Sequence, residues 1–530
     1  MHDYAKHFSL GKHFRLDTEI QLISPRHLRS DTVAAYNTSS SSPRSVEQIA
    51  WEIKLRDATG ERVEMFDKVL VTSGPWARPF TPKVTGMESF EGRIMHSQSF
   101  KRWISTSLWR NAERSAAGYQ GQKVLVVGMA NTACDIAVDL CNEGAEVYMS
   151  HRHGVMVVSA VFVRCTQRCA VAEAAQLKRE DPPIDHQITR RRFLIGAAMN
   201  NRFPSLLAYL GSKVIERKFR ETNPEYQEEW GFFPVPPLWT ATGVVNDKIV
   251  QMMVEGKIHN RHGLKRFTQT GVVTATMDGQ GEVETQIDTV LFAISEDFDY
   301  SIVDLDADPT RRNGPEWEQL KHKSNDLAFP RLYQTLFSTR FPHSLAFIGP
   351  CRGFSVAALS NCDLSSQAIA QVWGGRFPLP TCEEMNRWCH GMYQRTVEQA
   401  KVYRVGKTGT GSAAFEHWLN EAAGNQMNSK LGWGWEAWKF WWSDRKLYGL
   451  IMDGVQSPHV YRLFEGREGA RKKWKGARDA IFRANGLTPS EAARWCCKQR
   501  LYHLNAGRAR QSALLVYCSS SRMTPPTLSA

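Results

Sequence analysis

The sequence predicts an α/β fold built around a parallel sheet, followed by a helical region towards the carboxyl end. A buried strand, a glycine turn, a helix and a second strand follow one another between residues 123 and 150. Short apolar runs typical of further strands return between residues 257 and 349. A helical crossover of this length places its two strands parallel in one sheet, and 530 residues are enough for about three domains.

The composition is that of an ordinary globular protein, with 42% apolar and 23% charged residues. No apolar run approaches the roughly eighteen residues of a membrane-spanning helix, and the first residues lack a signal-peptide pattern. We therefore expect a soluble, cytoplasmic protein. Its 11 cysteines show no Cys-x-x-Cys spacing, which predicts reduced thiols and no metal site.

The net charge of +13 suits an anionic partner but does not identify one. Much of the excess lies in local runs at residues 190–192 and 471–475, and such runs are usually solvated faces. We expect no nucleic-acid partner. The charge pattern leaves the oligomeric state open.

The first predicted elements lie in residues 49–74, which indicate a strand, a turn and a second strand. Apolar and polar side chains alternate before residues 57–60, which have turn chemistry, and the buried run 68–73 ends at Gly74. The prolines that follow indicate that the chain leaves the sheet as an irregular linker.

The clearest element is a strand–helix–strand unit. Residues 123–128 form a buried strand, 131–143 an amphipathic helix and 145–150 a second strand. Mixed helix and proline-rich loop follow from 161 to 240. The remaining predicted elements are strands at 257–267, 272–277, 289–294 and 345–349, and a helix at 361–373.

The turn of this unit could bind a pyrophosphate. A glycine turn between a buried strand and a helix exposes the first N–H groups of the helix, where the helix dipole favours an anion. The turn begins at Gly128, but Ala130 and Ala133 occupy the two later positions where glycine or another small residue is usual. On spacing alone, a dinucleotide site and a purely structural unit both remain open.

The end of the second strand favours one dinucleotide over the other. An acidic residue there would accept a hydrogen bond from a free ribose 2′-hydroxyl, whereas this chain has Ser150 and Arg152. A hydroxyl and a guanidinium suit a 2′-phosphate, which predicts NADP over NAD. The alternative is that Arg152 is an ordinary surface arginine.

A second motif precedes the unit and has the form F-x-G-x-x-x-H-x-x-x-F. Phe90, Gly92, His96 and Phe100 are its fixed positions. Judged by residue type alone, a lone histidine beside two aromatic residues is more often a packed residue than a catalyst.

Together, these residues resemble the flavin-containing monooxygenases, of the kind found in fungi. That family's signature F-x-G-x-x-x-H-x-x-x-[YF] is similar to residues 90–100, and its NADP turn G-x-G-N-[ST]-[GA]-x-D is similar to residues 128–135. The second likeness rests on Gly128, Asn131, Thr132, Ala133 and Asp135. The resemblance runs from Met1 to about Gly486.

The resemblance implies an FAD- and NADPH-dependent monooxygenase that transfers one oxygen atom from O₂ to an amine nitrogen or a sulfur of a small molecule. It also suggests fungal specialised metabolism. In this chain the implied NADP-binding residues are Gly128, Asn131, Thr132 and Arg152. The implied flavin side is Thr72, Ser73 and Gly74, and His96 would organise the linker between the two nucleotide domains. No catalytic residue is assigned.

The chain also departs from the family pattern. The family's first strand–helix–strand unit, which binds FAD, has no counterpart before His2, so we expect a truncated FAD-binding domain. The second linker lacks the family's glycine at 293–296, and Ala130 replaces another glycine. Two alternatives therefore stay open: a Baeyer-Villiger monooxygenase acting on a ketone, and an NADP-binding pseudoenzyme with impaired catalysis.

The resemblance predicts an NADP-binding domain inserted in the FAD-binding domain. The expected segments are the remainder of the FAD domain with its linker (1–104), the NADP domain (105–285), the return to the FAD domain (286–380), a helical Trp-rich region (381–500) and a frayed tail (501–530). In the Trp-rich region, an aromatic core face or substrate wall is favoured over a membrane-seated helix for the tryptophans at 433, 435, 438, 441 and 442.

Overall fold

A computed structural model describes most of the chain. It covers residues 2–27, 49–74, 77–100, 118–152, 154–158, 189–235, 243–294, 296–297, 299–311, 313–324, 328–349, 358–402, 405 and 412–487. The predicted frayed tail at 501–530 lies outside the described residues.

The strands of the described chain are short, and most follow the predicted apolar runs. They are β1 (Glu19–His27), β2 (Ile49–Asp57), β3 (Gly60–Phe66), β4 (Val69–Val71), β5 (Arg78–Pro79), β6 (Arg93–His96), β7 (Lys123–Val127), β8 (Glu146–Ser150), β9 (Val157–Val158), β10 (Val244–Val245), β11 (Ile258–Arg261), β12 (Leu264–Phe267), β13 (Gly271–Ala275), β14 (Glu282–Gln286), β15 (Thr289–Phe292), β16 (Glu296–Asp297) and β17 (Leu345–Phe347).

Most helices lie in the second half of the chain. They are α1 (His2–His7), α2 (Asn131–Asn142), α3 (Arg190–Arg202), α4 (Pro204–Thr222), α5 (Ile249–Val254), α6 (Pro315–Leu320), α7 (Ala358–Trp373), α8 (Cys382–Val402), α9 (Ser412–Ala422), α10 (Met427–Leu431), α11 (Trp435–Ser443), α12 (Arg445–Asp453), α13 (His459–Leu463) and α14 (Ala477–Ala484).

A five-stranded parallel sheet organises the middle of the chain, in the order β11-β8-β7-β15-β6. Strand β7 lies at its centre because its apolar run can be buried on both faces, as parallel sheets require. Helix α2 covers one face through Ala133, Ile136, Ala137 and Leu140. The predicted parallel crossover is therefore confirmed.

This sheet extends beyond the segment 105–285 that was predicted for the NADP domain. Strand β6 precedes that segment and β15 follows it, yet both pair within the sheet. The Asp288 carboxylate accepts a hydrogen bond from the Lys123 N–H at 2.7 Å and so aligns the start of β7 with β15. The domain boundaries themselves remain a prediction.

A second group of strands lies around a separate core. Strands β1, β2 and β3 form an antiparallel sheet, and β4 pairs in parallel with β17. The predicted first strand and turn are confirmed, but the strand that follows the turn and pairs with β2 is β3. The predicted second strand, 68–73, forms β4 in a different sheet, because its partner β17 lies far away in sequence. Trp51 and Phe341 meet edge to face in this core, with ring centroids 5.3 Å apart. The two linkers between the groups also pair, since β5 is antiparallel to β16.

The carboxyl-terminal helices form a third core, which includes Leu364, Leu419, Ile451 and Ile481. The helical character predicted for this region is confirmed.

The predicted solvated character of the arginine runs is wrong for two members. Arg190 contacts the buried Glu416 at 2.8 Å, and Arg471 contacts Asp363 at 2.8 Å and the buried Glu465. These contacts tie α3 to α9 and the segment before α14 to α7. Glu416 and Asp363 lie far from these arginines in sequence, so the local charge runs did not reveal those two contacts.

The prediction of an aromatic core face is wrong for four of the five tryptophans. The exposed members are Trp433, Trp435, Trp438 and Trp442, and Trp441 is half-buried. Among the described residues, no helix is both long and apolar enough to cross a bilayer.

Candidate functional site

The carboxyl edge of the five-stranded sheet brings several predicted site residues together. The last residues of all five strands lie in register: Arg261 beside Ser150, Ser150 beside Val127, Val127 beside Phe292, and Phe292 beside His96. Residues that directly follow these strands therefore meet at one edge. In open α/β sheets, this edge is where ligands bind.

Gly128 makes the turn that leads from β7 to α2. Its φ is +127°, and a Cβ there would lie 2.4 Å from the Ala293 carbonyl oxygen. Its N–H donates to the Ser150 carbonyl oxygen at 2.8 Å. The close approach of the Ala293 backbone therefore excludes any side chain at this position.

The first turn of α2 is open to an anion. Ala130 precedes the helix in an extended conformation with no side-chain cap, and the first intrahelical bond runs from the Cys134 N–H to the Ala130 carbonyl oxygen at 3.0 Å. The N–H groups of Asn131, Thr132 and Ala133 have no acceptor within the helix. Such groups suit a phosphate, so the geometry fits the predicted dinucleotide.

Two predicted binding residues on α2 use their side chains to hold the neighbouring loop. The Asn131 Oδ1 accepts from the Val245 N–H at 2.7 Å, and the Asp135 carboxylate accepts from the Asn246 side-chain amide at 3.0 Å. These bonds fix the loop before α5 against the helix. Asn131 can therefore contribute its backbone N–H to a ligand while its side chain serves the fold.

Ser150 and Arg152 occupy different positions at the end of β8. Ser150 is buried, and its hydroxyl donates to the His262 carbonyl oxygen at 2.9 Å. Arg152 is exposed, and no ion pair with a carboxylate is found for it in the part of the chain that the structure describes. Gly263 packs beneath its stem, since a Cβ on Gly263 would lie 2.8 Å from the Arg152 Cγ.

Sequence reasoning missed an arginine and a histidine at the same edge. Arg261 ends β11 with its guanidinium 4.8 Å from the Tyr148 ring centroid, and His262 follows it. The sequence predicted a single strand over 257–267, so the break between β11 and β12 was hidden. Gly263, directly after Arg261 and His262, was the available signal of a break.

The parallel pair of β4 and β17 offers a second edge. Thr72 and Ser73 are exposed after β4, and Gly74 follows with φ +77° and no atom within 4 Å of a Cβ built there. Gly349, which follows β17, has φ +109°. Sequence reasoning included Gly74 but left Gly349 out of the site. Two glycines at one open edge fit the close approach of a planar ligand to the backbone.

Sequence comparison identifies the class of protein that carries these two edges. The family model described as flavin-binding monooxygenase-like matches residues 1–489. Monooxygenase aurF of Gibberella zeae is 33% identical over 483 residues, which cover 91% of this chain and 81% of aurF. The chain belongs to the flavin-binding monooxygenase-like family.

The chain is also similar to more distant monooxygenases. Human flavin-containing monooxygenase 3 is 25% identical over 435 residues, or 82% of this chain and 68% of that protein. A closed crystal structure of cyclohexanone monooxygenase is 15% identical, covers 80% of this chain and 81% of that one, and has a TM-score of 0.48. The family assignment rests on the sequence matches and not on this structural likeness.

Membership of the family confirms the predicted enzyme class, a flavin-dependent monooxygenase, and the predicted cofactors FAD and NADP. It does not assign a role to individual residues. The predicted contacts of each residue with a cofactor therefore remain predictions.

The motif at residues 90–100 lies in the interior of the monooxygenase. Phe90 stacks edge to face on Phe267 at 5.2 Å, and a Cβ on Gly92 would lie 2.3 Å from the Phe90 ring. His96 is buried at the end of β6, where its Nδ1 accepts from the Gln98 N–H at 3.1 Å. Phe100 is buried in the core beneath α2. The packed side chains of the motif thus hold β6 in place as the edge strand of the five-stranded sheet.

Proposed function

We propose that this monooxygenase uses NADPH and FAD to transfer one oxygen atom from O₂ to a nitrogen or sulfur atom of a small molecule. The observation that carries the coenzyme choice is the exposed Arg152 beside the open first turn of α2. The proposed role in fungal specialised metabolism is supported by the identity with the monooxygenase of Gibberella zeae.

In this proposal the edge of the five-stranded sheet holds NADPH. The N–H groups of Asn131, Thr132 and Ala133 bind the pyrophosphate, because they have no acceptors within the helix. Arg152 pairs with the 2′-phosphate through charge-assisted hydrogen bonds. The hydroxyl of Ser150 is already committed to the His262 carbonyl, so it orients the strand end and leaves the phosphate to Arg152.

The edge formed by β4 and β17 would hold FAD. FAD held there would supply the redox chemistry that links oxidation of NADPH to activation of O₂. Gly74 and Gly349 would let the flavin approach the backbone, since a side chain at either position would narrow the edge. The paired linkers β5 and β16 connect this edge to the NADPH edge and would set the distance between the two cofactors.

The first test is spectroscopic. The purified chain should show the visible absorption bands of a bound flavin, and adding NADPH should bleach them much faster than adding NADH. A protein that binds NADPH but carries no flavin, even after incubation with FAD, would support the pseudoenzyme alternative and contradict the proposal.

A second test separates nitrogen or sulfur oxygenation from Baeyer-Villiger chemistry. The flavin-loaded enzyme is supplied with NADPH and either a thioether or a cyclic ketone, and the products are measured by mass. We expect the sulfoxide. Formation of a lactone with no sulfoxide would contradict the proposed reaction while leaving the cofactor assignment intact.

A further inference from the structure

One helix of the carboxyl-terminal region presents tryptophan rings to solvent. Trp433 is 98% exposed, Trp435 77%, Trp438 59% and Trp442 63%. The last three lie on α11 at positions i, i+3 and i+7, which share one side of a helix. We call these four residues the tryptophan face. Apolar patches of this kind on a protein surface mark interaction sites.

The opposite side of α11 is anchored in the core, so the helix cannot rotate to bury the tryptophan face. Ala437 is buried, and Phe440 packs on Phe464 with ring centroids 5.4 Å apart. The Phe440 ring also packs near the Tyr448 ring, with ring centroids 6.1 Å apart. Turning the rings inward would expose these side chains. The face is therefore a fixed feature of the described part of the fold.

The charges around the tryptophan face are predominantly positive. The carboxylates are neutralised, since Glu436 pairs with Lys430 at 2.5 Å and Asp444 pairs with Arg478 at 2.6 Å. Lys439 is exposed and is attracted by Glu436 without a direct ion pair, and in the described chain no carboxylate is found paired with Arg445. The Arg445 guanidinium lies 4.4 Å from the Trp441 ring centroid and 4.8 Å from that of Trp442.

We propose that the tryptophan face binds the surface of a bilayer that contains anionic lipid. Indole rings prefer the boundary between headgroups and acyl chains, and neighbouring cations attract anionic headgroups. The contact would be peripheral, with α11 lying along the surface. The positive charge argues against a second copy as the occupant, because a two-fold contact through this face would place two like-charged patches in one interface.

Vesicle sedimentation of the full chain tests this proposal. The unmodified chain should bind vesicles of mixed phosphatidylcholine and phosphatidylserine and bind much less to phosphatidylcholine alone. In the Trp438→Ala/Trp442→Ala variant, the partition coefficient onto the anionic vesicles should fall by more than about tenfold. In the Lys439→Gln/Arg445→Gln variant, the partition coefficient should fall by about fivefold for each cation removed, and only for the anionic vesicles.

A matched control removes other exposed apolar side chains. Val63 is 55% exposed and Met65 47%, and both lie on β3. Val63→Ser/Met65→Ser should bind vesicles as the unmodified chain does. Since all substituted side chains are exposed, thermal unfolding midpoints should stay unchanged, which excludes misfolding as the cause of a loss. Equal losses in the control and the tryptophan variant would overturn the proposal.

Two further readouts identify the occupant. Vesicles with brominated acyl chains should quench part of the tryptophan fluorescence, and the quenching should fall in the Trp438→Ala/Trp442→Ala variant. Sedimentation velocity reports the oligomeric state without lipid. A dimer that this variant dissociates, together with no vesicle binding by the unmodified chain, would assign the face to a second copy and overturn the lipid proposal.

Discussion

The edge of the five-stranded sheet and the edge of the β4–β17 pair each carry a glycine, but the physical reason for the glycine differs between them. At the five-stranded sheet, Gly128 is closed in by the Ala293 backbone, and a Cβ would clash within the chain itself. At the β4–β17 pair, Gly74 has a similar left-handed backbone but open space where a Cβ would stand. The first glycine is required by packing. The second is required only by its backbone conformation and, in our proposal, by the flavin.

This difference separates stability from binding. At the first edge, five strands lie in register and the Ala293 backbone encloses Gly128, so a substitution of Gly128 itself should act on folding. The Gly74 edge rests on two strands, and the middle residue of β4, Leu70, is exposed. Its substitutions should act on ligand affinity with small effects on folding.

The largest effect is expected for Gly128→Ala. Strain at a positive φ and the overlap with the Ala293 oxygen should together lower the free energy of unfolding by about 3–5 kcal/mol. Denaturant unfolding measures it. The matched control is Gly121→Ala, because Gly121 has φ +73° and no atom within 4 Å of a built Cβ. A similar loss in both variants would show that packing against Ala293 does not matter.

The next effect concerns the coenzyme. Removing a charge-assisted contact to phosphate costs roughly 1.5–3 kcal/mol, so Arg152→Ala should weaken NADPH binding about ten- to a hundredfold and barely change NADH binding. Titration calorimetry measures both. Arg266→Ala is the control, since Arg266 is exposed in the same region and pairs with Glu282 at 3.0 Å. Equal losses for NADPH and NADH would exclude a 2′-phosphate contact.

A smaller effect, on flavin binding, is expected for Gly74→Ala at the β4–β17 edge. Gly74→Ala and Gly121→Ala share nearly the same φ, so both should cost about 1 kcal/mol in stability. Only Gly74→Ala should weaken flavin binding, by about tenfold if the added methyl narrows the ligand's approach. The flavin-to-protein absorbance ratio after dialysis reports the loss. An unchanged flavin-to-protein ratio in the Gly74→Ala variant would mean that Gly74 does not line the flavin site.

The smallest effect is expected for Ala130→Gly. Removing a methyl beside the open first turn of α2 should tighten NADPH binding modestly, while added backbone freedom costs up to about 1 kcal/mol. Quenching of protein fluorescence during NADPH titration measures the change. Weaker binding in the glycine variant would mean that this part of the backbone does not approach a phosphate.

Features determined by neighbours in sequence could be predicted from the sequence. The strand, glycine turn, helix and strand between residues 123 and 150 all lie where the apolar pattern predicts them, because each element's pattern is local. The same segment carries the first turn of α2 and Arg152. The coenzyme prediction therefore needed only the βαβ unit and the order of its residues.

Features determined by distant partners required the tertiary structure. The alignment of Arg261 with Ser150 depends on the sheet order, and the need for glycine at 128 depends on Ala293 arriving from β15. The aromatic spacing of α11 was visible in the sequence, but the side that meets the core was not, since apolar side chains occur on both sides of this helix. Packing of Phe440 on Phe464 decides that direction and leaves the tryptophan face in solvent.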